Sequence, residues 1–499
     1  MSADNLADDR LAQLLQRSLQ ENAADFFPAA SPFAATVPQE DDFPSLWQEI
    51  AKTLLPAGSS NRQPSGKIDT APIDAVPVPP IPAETVPVLP VSVPRDFDIA
   101  AIRNDFPLLS EKVHGKPLIW FDNGATTQKP RAVIERLTYF YEHENSNVHR
   151  GAHDLAARAT DAYENARRIV RQFLHASSPN EIVFVRGTTE AINLVAAAWG
   201  RDNIHRGDEI LLSHLEHHAN IVPWQLLAQE TGAVIKVIPV DANGDLLLND
   251  YTDRLRSGKV KLAAVTQVSN ALGTVTPAAE MVRIAHQFGA KVLIDGAQSV
   301  AHLAADVQKL DADFFVFSGH KIFAPTGIGV LYGKEEILQT MRPYQSGGGM
   351  ITDVTFEKAE YQPAPGRFEA GTGNIADAVA LGTALEYVRS AGLESIKQYE
   401  HRLLTHTLNE MEQIPGIRII GTPRERAGVI SFVHDRLNTE EINQALAAEG
   451  IALRAGHHCA QPILRRFGCE STVRASLAFY NTLEETDFFI NTLKNIVVR

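Results

Sequence analysis

Lys291-Val292-Leu293-Ile294-Asp295-Gly296-Ala297-Gln298 begins as a short apolar run and ends on an acid, a glycine and an amide. The run reads as a strand buried on both faces, as in a parallel sheet. In open α/β sheets, ligands bind outside the carboxyl ends of the strands, and Asp295 stands at that end. An aspartate there can cap a following helix, or it can pair with a cationic ring nitrogen on a ligand.

Working outward, strand-like runs recur at residues 181–185, 209–213, 234–240, 262–268 and 313–317. Helical segments separate most of them, such as 191–199 and 281–288. Alternation of this kind predicts a mainly parallel sheet covered on both faces, in an α/β fold. From about Gly392 the rhythm changes. A run at 428–433, a helix at 440–449 and a run at 451–454 predict a smaller α+β domain.

Composition narrows the function classes. The 499 residues imply two or more domains. A net charge of −14 with no basic block argues against a nucleic-acid partner. Two cysteines, Cys459 and Cys469, exclude a disulfide framework and fit a reducing compartment. No apolar stretch is long enough to span a membrane. The acidic start lacks the features of a signal or transit peptide, so a cytoplasmic protein is expected. The first 95 residues differ from the rest and hold half of the 28 prolines. Residues 74–94 alternate valine, isoleucine and proline, which predicts an extended linker rather than a strand. Two short apolar islands, 6–19 and 43–55, cannot bury their faces alone and read as docking elements for a partner, the alternative being a dispensable tail that folds loosely onto the chain's own body.

Four clusters carry chemistry. Ser318-Gly319-His320-Lys321, followed by Ile322 to Pro325 and the glycine-rich Thr326-Gly327-Ile328-Gly329, puts a lysine in an apolar setting after a strand. A desolvated lysine can form a Schiff base, and the glycines let backbones approach closely. Arg186-Gly187-Thr188-Thr189-Glu190 opens a helix and reads as a phosphate site, a capping box, or both. Glu216-His217-His218 fits ring stacking better than metal binding, since adjacent histidines diverge. Arg454-Ala455-Gly456-His457-His458-Cys459 supplies a nucleophilic thiol beside positive groups. Cys469, ten residues on, reads either as a relay thiol or as a small buried hydrophobe. An aspartate at a strand end with a Schiff-base lysine fits a pyridoxal-phosphate site.

These blocks, with Asp122-Asn123-Gly124-Ala125-Thr126, Val148-His149-Arg150-Gly151 and Arg367-Phe368-Glu369-Ala370-Gly371-Thr372, stand in an order that resembles the SUF-type (group II) cysteine desulfurases and selenocysteine lyases. These are class V, fold-type I pyridoxal-phosphate enzymes. The resemblance covers about four-fifths of the chain. It implies a fold-type I transferase with a large, mainly parallel-sheet domain at 96–391, a smaller α+β domain at 392–499 and a disordered extension at 1–95. It implies that Lys321 holds the cofactor, Asp295 its pyridine nitrogen and Gln298 its phenolic oxygen, with His217 stacked on the ring. Thr188, Thr189, Ser318 and His320 would bind the phosphate, joined by Thr372 of a second subunit in a homodimer. Asn270 and Arg454 would hold L-cysteine, and His149 and Arg474 would line the same cleft. Cys459 would take the substrate's sulfur as a persulfide and pass it to an acceptor protein. The long extension resembles that of desulfurases carried as cargo in family 2 encapsulin shells, which implies an encapsulin partner and compartment. The alternatives are a selenocysteine lyase, or a cargo protein whose site is vestigial.

Overall fold

The computed structural model of the chain describes residues 98–149, 151 and 153–498. The proline-rich run, both apolar islands and Arg150 lie outside the described residues.

The chain enters through β1 (Ile119–Trp120), α1 (Arg131–His143) and α2 (Asp154–Phe173), then builds the large sheet. Its elements are β2 (Ile182–Val185), α3 (Thr188–Val195), β3 (Glu209–Ser213), α4 (Val222–Thr231), β4 (Val234–Ile238), β5 (Val260–Thr266), α5 (Ala278–Gln287), β6 (Lys291–Asp295), β7 (Phe314–Ser318) and β8 (Gly329–Gly333). The strand order is β2-β8-β7-β6-β5-β3-β4. All neighbours pair in parallel except β8, which runs antiparallel to both β2 and β7. This is the α/β architecture expected. The six anticipated strands fall within two residues of those observed.

β8 was not anticipated, because its glycine-rich approach reads as loop. The glycine is what admits the strand. A Cβ on Gly329 would sit 2.5 Å from the Gly187 Cα and 2.6 Å from the Phe317 carbonyl oxygen. No side chain fits there, so β8 and the turn after β2 are in backbone contact.

Beyond the large sheet come α6 (Ile375–Ala391), α7 (Leu393–Met411), β9 (Ile417–Ile419), β10 (Val429–His434), α8 (Thr439–Ala448), β11 (Ile451–Ala452), β12 (Arg454–Gly456), α9 (Gln461–Arg466), β13 (Thr472–Ser476) and α10 (Leu483–Val498). An antiparallel sheet forms in the order β9-β10-β13-β12. The run at 451–454 is not one strand. It breaks at Leu453, so that β11 pairs in parallel with β1 while β12 pairs with β13. The break turns Arg454 into a different sheet from Ile451, and thereby toward the site.

An aromatic cluster fixes the lysine turn. Phe323 contacts Phe106 at 5.9 Å and Phe479 at 4.7 Å between ring centroids. It takes a left-handed φ of 63°, a conformation that costs about 1–2 kcal/mol for a residue with a Cβ. Complete burial of the ring offsets that cost.

Candidate active site

Asp295, Ser318 and the turn after β2 all lie at the carboxyl ends of their strands, and β2, β6 and β7 run the same way. A cavity of about 220 Å³ opens at this edge. Its walls include Thr188, Thr189, His217, Asn270, Asp295, Gln298, Ser318, His320, Lys321, Arg454, Cys459 and Arg474. These come from segments up to 286 residues apart (474 − 188). Of the candidate residues, His149 and Thr372 are not among them.

The lysine turn is pinned by the loop after β1. The His320 carbonyl accepts from the Thr127 N–H at 2.9 Å and from the Thr126 and Thr127 hydroxyls at 3.1 and 3.2 Å. Burial pulls the Lys321 ammonium down to about 8, against the Asp295 carboxylate, which holds it up. Burial raises the Asp295 carboxyl, opposed by the Ala297 N–H at 2.9 Å and by Lys321. A buried acid in this position is suited to a cationic partner.

Burial, with Lys321, His218 and Arg474 nearby, pushes His217 down to about 3, so its ring is neutral. Its Nδ1 accepts from the Ala219 N–H at 3.0 Å, which leaves the proton on Nε2. Glu216 does not join it in a metal site. Fully buried, it accepts from Asn220 Nδ2 at 2.6 Å and the Thr266 N–H at 3.1 Å, and from the Ser213 hydroxyl. Among the described residues no cluster fits a metal ion.

At the other end, α3 begins at Thr188 after Gly187, which has no side chain to cap it. The Thr188 N–H and hydroxyl both meet Ser318 Oγ at 2.9 Å. N–H groups and hydroxyls gathered at a helix start suit an anion such as phosphate.

Two arginines share one carboxylate. Arg474 Nη2 donates to Asp122 Oδ1 at 3.1 Å, and Arg454 Nε donates to Asp122 Oδ2 at 3.2 Å. Two guanidiniums against one carboxylate leave a net positive charge, and Arg474 is almost wholly buried. That surplus calls for an anionic ligand, and the forked geometry suits a carboxylate. Asp122 belongs to a quoted motif, but spacing gave no sign that it bridges residues more than 330 positions away.

Cys459 sits on a strained loop. His458 and Cys459 take left-handed φ values of 51° and 54° in succession, each costing on the order of 1–3 kcal/mol. Three contacts hold the shape. Asn270 Nδ2 donates to the His458 carbonyl at 2.6 Å, the His218 N–H donates to the Cys459 carbonyl at 2.8 Å, and the Cys459 N–H donates to His457 Nδ1 at 3.0 Å. His458 is not a cation beside the thiol, as its sequence position suggested. Burial pushes it down to about 3, and its Nε2 is bound to Thr472. The charged groups that share the cavity with the thiol are Lys321, Arg454 and Arg474.

Asn270 Oδ1, His458 Nδ1 and Arg474 Nε are buried without a hydrogen-bond partner. Unsatisfied polar atoms around a cavity mark where a polar ligand belongs. The donor set fits pyridoxal phosphate: a helix start for the phosphate, Lys321 for the aldehyde carbon, Asp295 for the ring nitrogen and a neutral His217 for the ring face.

His149 and Thr372 lie elsewhere. His149 Nε2 is 2.9 Å from Glu164 Oε1, and Thr372 Oγ1 accepts from Asn147 at 3.4 Å. Cys469 is buried among Leu215, Leu272, Ile420 and Leu464, with Arg418 donating to its sulfur at 3.3 Å. It behaves as packing.

The sequence pattern of "Aminotransferase class-V" matches residues 119–489. A cysteine desulfurase of Synechococcus elongatus is 64% identical over 400 residues, which are 80% of this chain and 64% of that protein. The chain thus spans a little under two thirds of the length of this curated relative. The apo structure of a cysteine desulfurase from Thermococcus onnurineus superposes with a TM-score of 0.76 at 39% identity, over 80% of this chain and 98% of the other. A C-DES mutant with glycine covalently linked to its PLP cofactor superposes with a TM-score of 0.68 at 25% identity, over 79% of this chain and 99% of the other.

Proposed function

The chain belongs to the class-V aminotransferase family, and from that membership we propose that it is a pyridoxal-phosphate-dependent cysteine desulfurase of the SUF type, converting L-cysteine to L-alanine with a persulfide on Cys459. The observation that carries this reading is the meeting of Lys321, Asp295 and Cys459 in one 220 Å³ cavity. A vestigial site has no reason to keep all three.

Pyridoxal phosphate, when bound, supplies an electron sink for the substrate's Cα. The chain's own groups do the rest. The Asp295 carboxylate keeps the ring nitrogen protonated. Arg454, beside Arg474, takes the substrate carboxylate and so orients Cα toward Lys321. Lys321 Nζ, with its lowered proton affinity, moves the α-proton. The Cys459 thiolate attacks the substrate sulfur. The Cβ–S bond breaks with its electron pair on Cβ, Cβ takes a proton, and alanine leaves while the sulfur stays on Cys459. Full chain supplied with the cofactor is expected to form L-alanine from L-cysteine, and its absence would refute the reading. Parallel trials with selenocysteine separate the lyase alternative. Arg454→Ala is expected to raise KM about 10- to 100-fold, with a smaller change in kcat, because it removes a charge-assisted pair to the substrate. An unchanged KM would remove Arg454 from the carboxylate.

His149 and Thr372 fit a homodimer in which a second copy completes the site, since one chain leaves both outside its own cavity. The Cys459 loop is short and anchored at both carbonyls, so its sulfur cannot travel far. An acceptor protein that comes to the cavity suits that constraint. Among the described residues no helix is long and apolar enough to cross a membrane.

For residues 1–95 the reading is an encapsulation segment, supported by their proline content and two apolar islands. Deleting them is expected to leave alanine formation intact and abolish loading into a co-expressed family 2 encapsulin shell. Loading of the truncated chain would end that reading.

A further inference from the structure

The loop after β1 reaches three parts of the catalytic cavity at once. Asp122 takes Arg454 and Arg474. The Gly124 carbonyl accepts from Gln298 Nε2 at 2.7 Å. Thr126 and Thr127 grip the His320 carbonyl, and the Phe323 N–H donates to Thr127 Oγ1 at 2.8 Å. The loop's own seat is buried and polar. Asn123 is 3% exposed. Its Nδ2 donates to the Ser476 carbonyl at 2.7 Å, and to Asn481 Oδ1 and the Trp120 carbonyl at 3.2 Å. A carbonyl only accepts, so the amide's orientation is fixed and its Oδ1 is the acceptor facing the Tyr480 hydroxyl. That hydroxyl gives its proton to Asn123 and receives the Gln128 N–H at 3.1 Å. One oxygen thus ties residue 123 to residue 128, across the mouth of the loop. Ser476 Oγ adds a second tie, accepting from the Gly124 N–H at 2.7 Å and donating to the Phe121 carbonyl at 3.0 Å.

We propose that Tyr480 and Ser476 are positioning residues, whose hydroxyls hold the 122–127 loop so that the substrate arginines, Gln298 and the Lys321 turn share one geometry. Neither lines the cavity, and both are almost wholly buried. Without the Tyr480 oxygen, Asn123 Oδ1 and the Gln128 N–H lose the one hydrogen bond each makes among the described residues. A buried group left unpaired in this way is costly, and the loop relieves it by shifting. The inference rests on the reading of the cavity as a pyridoxal-phosphate desulfurase site.

Tyr480→Phe removes the hydroxyl alone and keeps the ring against Phe106 at 4.7 Å and Phe323 at 5.9 Å between centroids. Ser476→Ala breaks the second tie and leaves the first. Tyr251→Phe is the control, because its equally buried hydroxyl donates to the Met281 carbonyl at 2.8 Å and Tyr251 is not in the cavity wall. Three readouts are taken on the full-length chain: amide hydrogen exchange across residues 121–129 of the apo protein, the rate at which apo protein captures added pyridoxal phosphate, and KM against kcat for L-cysteine. Tyr480→Phe and Ser476→Ala are each expected to speed exchange at least tenfold, slow capture at least fivefold and raise KM at least fivefold. Tyr251→Phe is expected to match wild type in all three. Capture and KM at wild-type values in Tyr480→Phe and Ser476→Ala, or altered equally in Tyr251→Phe, would overturn the proposal. Wild-type protein that captures no cofactor would instead refute the cavity reading, and this inference with it.

Discussion

Cys459→Ser is expected to stop alanine formation from L-cysteine, with turnover falling at least about 1,000-fold, the scale on which loss of an essential nucleophile is felt. A serine hydroxyl at neutral pH is not ionised and cannot hold a transferable sulfur. The thiol is only partly buried, so exchanging its sulfur for oxygen removes little packing. The loop is held through the carbonyls of His458 and Cys459 and the Cys459 N–H, which serine retains. The variant should therefore fold, bind the cofactor and keep its visible absorbance. Alanine formed at the wild-type rate would assign the nucleophile elsewhere.

Lys321→Ala is expected to lower turnover by roughly 10²–10⁴-fold, the contribution of a positioned acid–base group, and to abolish the visible band of the covalently held cofactor. The lysine's lowered proton affinity adds a pH signature. Its neutral form grows as pH rises toward about 8 and saturates above. Capture of added pyridoxal phosphate by apo protein should therefore speed up from pH 7 through pH 8 and level off beyond about pH 9. Capture independent of pH over that range would separate the lysine's titration from its role.

Much of the large sheet was legible because its strands are short apolar runs ending in polar residues. Lys291–Asp295 shows both features, and the fold rule for strand ends then located the ligand edge. The Lys321 turn was legible because a lysine beside histidine, serine and glycines breaks the pattern of a solvated surface. β8 was hidden, since Gly329 is required by a backbone contact with Gly187 that no local pattern reveals. The run at 451–454 was misread as one strand because its division between two sheets is set by partners, β1 and β13, far away in sequence. The roles of Asp122 and Thr472 escaped notice for the same reason: each acts on a residue that only the fold brings near. The strain at His458 and Cys459 was invisible in composition, which holds no signal for two left-handed residues in a row. His149 was placed in the cleft by resemblance, and the chain alone leaves it on another surface, as it leaves Thr372, which the resemblance assigned to a second subunit.

The most direct test is mass spectrometry of the peptide carrying Cys459 after the holoenzyme has met L-cysteine without reductant. A gain of one sulfur atom on Cys459, in step with the alanine released, is the expected result. Alanine released while Cys459 stays an unmodified thiol would contradict sulfur transfer to this residue.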